Sequence, residues 1–182
     1  MSQSMRLAVQ IVLAYLLMVF FGALWLVVPH PYSMAPLVPV IYALYLGAGA
    51  RERLPIATFG AAIIGYLGDL LSSSPRGLMA FVCVVICIAG RGISSRLLLR
   101  GRLFVAVLGF VSSLVALGLV LLIRVCFGLP FGNLVGWSWA AIGSAVTTAL
   151  LSPLVFRLCR SLDSVFARTQ REREAIREGY LG

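Results

Sequence analysis

The feature that most narrows what this chain can fold into is a succession of apolar runs, at about 7–28, 36–50, 55–71, 77–90, 103–127 and 137–156, joined by short polar connections. A bilayer's hydrocarbon core takes roughly 20 apolar residues per helix. With 61% hydrophobic residues in 182, the chain exceeds what a soluble globule buries. The expected fold is an all-α membrane protein, six transmembrane helices in one bundle. The first run is longer than the roughly 7–15 residues of a signal-peptide core. Pro29, His30 and Pro31 offer no small-residue cleavage site after it, so it is expected to remain as a first helix.

The orientation follows from the arginines. All fifteen basic residues are arginine, and the net charge of +9 would suit a nucleic-acid binder if they were gathered on one surface. Instead they mark alternate connections. Arg6, Arg51, Arg53, Arg91, Arg96, Arg100, Arg102, Arg157, Arg160 and the arginines after residue 160 fall on one side of a six-span topology. Only Arg76 and Arg124 fall on the other, a bias of thirteen to two. By the positive-inside rule both termini are cytoplasmic, and no nucleic-acid partner is expected. Arg91, Arg96, Arg100 and Arg102 form the principal basic loop, suited to anionic lipid.

The expected organisation is a membrane domain over 1–157 and a charged cytoplasmic tail over 158–182, in which Arg168 and Glu172 stand four residues apart. Cys83, Cys87, Cys126 and Cys159 have no disulfide spacing. Cys83 and Cys87 share a helix face, but no acid or histidine accompanies them, so they are expected to be small buried residues rather than metal ligands. The single histidine, His30, lies in a proline-bounded turn. Neither a catalytic constellation nor a phosphate-cradling glycine loop is visible, so no enzyme activity and no cofactor is expected.

One carboxylate interrupts the apolar sequence. Asp69 is the sole acid between Arg53 and Asp163, in the outer half of the third span, where an ionised group costs roughly 2.5–3.5 kcal/mol unless partnered. Arg76 and Arg124 are expected at the same level and are the candidate ion-pair partners. The other structural reading is a cap for the turn containing Ser72, Ser73 and Ser74. A proton-relay or substrate site is the functional alternative, disfavoured because no second titratable group lies nearby.

Gly65, Asp69, Ser72, Gly77 and Ala80 form the pattern G-x-x-x-D-x-x-S-x-x-x-x-G-x-x-A, which resembles the MreD family of bacterial rod-shape-determining membrane proteins. The resemblance implies a fold like that of the substrate-binding subunits of energy-coupling-factor transporters. It also implies an inner-membrane scaffold that works with MreC and MreB, linking the filament to peptidoglycan synthesis by RodA and a class B penicillin-binding protein. Homo-oligomerisation is left open. The rival expectation is a vitamin-binding transporter subunit. Against it, Ala8, Ala14 and Ala23 do not give the Ala-x-x-x-Ala surface usual on the first helix of such subunits.

Overall fold

The structure, a computed structural model, describes residues 3–27, 35–48, 54–72, 77–96, 101–128 and 134–179. These residues form helices and short turns with no strand. In chain order the helices are α1 (Gln3–Val27), α2 (Val38–Ala48), α3 (Leu54–Leu71), α4 (Leu78–Arg96), α5 (Arg102–Cys126) and α6 (Leu134–Gly179). Stretches in four of them, α1, α3, α5 and α6, are long and apolar enough to cross a membrane. The apolar stretches of α2 and α4, Val38–Ala48 and Leu78–Ser94, are shorter.

The shortest helix is the centre of the bundle. At 1.5 Å per residue, α2 is only about 16 Å long, yet every residue from Val38 to Gly47 is buried and α2 packs against each of the other five helices. Uniform apolarity along VPVIYALYLGA is what such a position requires, because a helix surrounded on all sides has no polar face to present. Pro39 fits in its first turn, where a missing N–H leaves no helical bond unmade.

The outside of the bundle is apolar. Val12, Leu16 and Phe20 of α1 and Leu150 and Leu154 of α6, each spaced at i, i+4, are all more than half exposed. In hydrocarbon such side chains gain little by turning inward, so close packing and polar contacts must hold the helices together. The buried row Ser144, Thr148 and Ser152 on α6 satisfies its hydroxyls mostly within its own helix, and one of them reaches a neighbour. Their hydroxyls donate to the carbonyls of Ala141, Ser144 and Thr148 respectively. Thr148 Oγ1 also accepts the Leu37 N–H at 3.0 Å. That bond satisfies the irregular backbone leading into α2, which lies inside protein rather than facing lipid.

Some helix ends differ from the sequence expectation. The second apolar run was expected from about Pro36, and α2 begins at Val38; residues 49 and 50 lie outside the described residues. Arg91 and Arg96, expected in a loop, lie on the last turns of α4, and Arg102 is the first residue of α5. Nothing in Arg91-Gly92-Ile93-Ser94-Ser95 breaks a helix, and arginine stems let helices continue past the apolar zone. The charged tail after residue 157 continues the last helix, and α6 runs on unbroken past Pro153 to Gly179.

Candidate functional site

The residues of the glycine–aspartate pattern converge on the junction between α3 and α4. Asp69, in the last turn of α3, is 2% exposed. Its Oδ2 accepts the N–H of Gly77 at 2.9 Å, and its Oδ1 accepts that of Met79 at 3.0 Å. The Ala80 N–H reaches Oδ2 at 3.4 Å. These donors belong to the first turn of α4 and the residue leading into it, where backbone N–H groups have no helical acceptor. The carboxylate therefore acts as an N-cap supplied by the preceding helix, and the positive end of the α4 dipole favours its charge.

The other pattern residues make this contact sterically feasible. A Cβ on Gly65 would stand 2.6 Å from the Ala80 Cα and 2.7 Å from the Met79 carbonyl oxygen, so only glycine lets α3 and α4 meet here. Gly77 has φ of +92°, a left-handed backbone that aims its N–H back at Asp69. Ser72 is exposed at the end of α3, and its backbone N–H bonds the Gly68 carbonyl at 3.0 Å. Ser73, Ser74 and the candidate partner Arg76 lie outside the described residues, as does His30.

The expected pairing of Asp69 with Arg124 is not formed. Arg124 lies in the last turn of α5, and its Nε is buried without a hydrogen-bond partner among the described residues. Of the two structural readings, the cap is the nearer one: among the described residues Asp69 is met by backbone donors at the start of α4, rather than by the hydroxyls of the serine turn.

A second polar centre was not anticipated. At the opposite end of the bundle Asp163 of α6 accepts Arg6 Nε from α1 at 2.7 Å, Gln10 Nε2 from α1 at 3.0 Å and the Tyr45 hydroxyl from α2 at 2.6 Å. Tyr45 also packs edge-on against Phe156 of α6, with ring centroids 5.2 Å apart. The carboxylate thus ties the first helix, the central helix and the last helix together. Arg6 and Asp163 are separated by almost the whole chain, so no local spacing announces the pair. Gln10, the one polar residue deep in the first apolar run, was the available signal; its Oε1 is buried without a partner among the described residues.

Cys83, Cys87 and Cys159 are buried free thiols and Cys126 is an exposed one. No group of histidine, cysteine and acidic side chains able to hold a metal occurs among the described residues. Beside the Asp69 junction, a cleft of about 230 Å³ is lined mainly by apolar side chains, including Met18, Phe21, Pro36, Leu37, Leu71 and Met79. The arrangement offers fixed joints between helices and, beside one of them, a lipophilic cleft. No family model matches the chain, and neither a curated protein nor a solved structure matches it.

Proposed function

We propose that this chain is a scaffold subunit of the bacterial cell-elongation machinery, a six-helix bundle in the inner membrane with both termini cytoplasmic. Its role would be to join MreC, and through it MreB, to the peptidoglycan synthases RodA and a class B penicillin-binding protein. The observation that carries the reading is the Asp69 junction. The pattern residues that resemble MreD form one joint in which Gly65, Asp69, Gly77 and Ala80 each have a structural task. A binding protein needs such a rigid frame, and the exposed apolar faces of α1, α5 and α6 suit partner helices as well as lipid. The arginines at the Arg6–Asp163 end support the cytoplasmic placement of that end.

The test has two arms. On a cysteine-free background, cysteines placed at Ser33, Ser74 and Asn133 should label from outside and those at Ser95 and Thr169 should not; external labelling at Ser95 would sink the topology. Depletion in a rod-shaped host should round the cells. Persistent rods would sink the role in elongation.

One observation favours the rival vitamin-binding reading: the cleft beside the Asp69 junction lies at the end that the topology turns outward. Its lining gives few groups to orient a polar vitamin, which is why the scaffold reading is preferred. Copurification with a vitamin, together with an uptake defect on depletion, would reverse the choice.

A further inference from the structure

At the arginine-rich end, α5 and α6 part after an exceptionally close contact. A Cβ on Gly109 would stand only 2.8 Å from the Ser152 Cβ, so the two helices touch there. Toward the start of α5 they leave a cleft of about 480 Å³. Its floor is apolar, with Val105, Pro153 and Phe156. Its rim carries Arg157, Arg160, Ser161 and Ser164 from α6 and Gly101 from the start of α5.

The rim chemistry is that of an anion site. Arg157 and Arg160 are exposed, and neither forms an ion pair with a carboxylate among the described residues. The nearby Asp163 is already engaged by Arg6, Gln10 and Tyr45. Gly101 supplies no side-chain cap to α5, and the first helical bond there runs from the Val105 N–H to the Gly101 carbonyl. The two guanidinium groups match phosphate oxygens in fork geometry.

We propose that this cleft binds the phosphodiester headgroup of an anionic phospholipid. A lipid fits better than free phosphate because the rim stands at the end of the apolar zone. Leu103, Val107, Leu150 and Leu154, on the same two helices, expose apolar side chains along which acyl chains can lie. Basic pockets between membrane helices on the cytoplasmic side are a recurrent form of headgroup recognition. The site rests on the membrane-spanning, arginine-end-inside reading and is independent of a role in cell elongation.

The experiment uses the purified full chain in detergent, with lipid retention read by native mass spectrometry and melting temperature read alongside. The probes are phosphatidylglycerol, phosphatidylcholine and inorganic phosphate. Phosphatidylglycerol should be retained selectively and raise the melting temperature. R157Q/R160Q should weaken its retention by roughly tenfold per arginine, while the charge-matched R51Q/R53Q should retain it as the parent does. R157K/R160K should fall between, because lysine keeps the charge and loses the fork; this pair is read instead if the glutamine pair fails to fold. Equal loss in R51Q/R53Q would overturn the site in favour of diffuse charge attraction. Equal stabilisation by inorganic phosphate, or no preference over phosphatidylcholine, would overturn the lipid. The depletion phenotype in cells reads the elongation role separately, so either proposal can fail alone.

Discussion

Asp69 and Met79 meet across the α3–α4 junction, with the Met79 N–H donating to Asp69 Oδ1 at 3.0 Å. Among the described residues, a carboxylate buried in an apolar bundle is thereby satisfied by backbone N–H groups. Its effect is to fix where α4 begins and how closely α3 and α4 pack. Thr148 does the same for the approach to α2 through the Leu37 N–H, so two helix starts are set by side chains from other helices.

Asp69→Ala should lower the melting temperature in detergent, with a loss of about 1–3 kcal/mol, because buried N–H donors lose their acceptor. Asp69→Asn retains one acceptor oxygen and should be milder. Adding Arg124→Gln to Asp69→Ala should rescue nothing, the two effects adding to within about 0.5 kcal/mol as for separate sites. Recovery in that double variant would show that the carboxylate and the guanidinium do interact.

Gly65→Ala should cost about 1–3 kcal/mol, since the new methyl meets backbone atoms of α4 that cannot swing aside. Gly77→Ala should cost less, about 1 kcal/mol, because nothing lies within 4 Å of its new Cβ and the penalty is the left-handed backbone alone. Melting temperatures of the two variants check the ranking, and a reversed order would contradict the close approach at Gly65.

Thr148→Val keeps the shape but removes the acceptor for the Leu37 N–H, and should destabilise by about 1–3 kcal/mol. Thr148→Ser should stay near the parent. Equal melting of the valine and serine variants would mean that the bond into α2 contributes nothing.

Ending the chain at residue 157 removes Cys159, which is fully buried, and Asp163, which holds α1 and α2. Such a chain should accumulate poorly in membranes, whereas one ending at residue 166 should accumulate normally. Within the full chain, Asp163→Ala should cost about 1–3 kcal/mol by taking the acceptor from the buried Gln10 amide and the Tyr45 hydroxyl. Membrane abundance and melting temperature measure both effects; normal abundance of the chain ending at 157 would show that the residues beyond it add no stability.

The sequence by itself determined that this is an all-helical chain with segments fit for a membrane, because the length and apolarity of runs such as those starting at Leu7, Pro55 and Leu103 are local properties a bilayer reads directly. It also pointed to Asp69, since a lone carboxylate in apolar sequence must find a partner, while Gly65, Gly77 and Ala80 stood out only through the pattern that resembles MreD. What met that carboxylate was decided only by the tertiary structure. Arginines are conspicuous in a sequence and backbone N–H groups are not, yet the start of α4 supplies Asp69 with donors that have no helical acceptor of their own. The central place of α2 and the Arg6–Tyr45–Asp163 joint were likewise settled by packing. Residues at opposite ends of the chain carry no shared periodicity, and their contact exists only once the last helix lies against the first two.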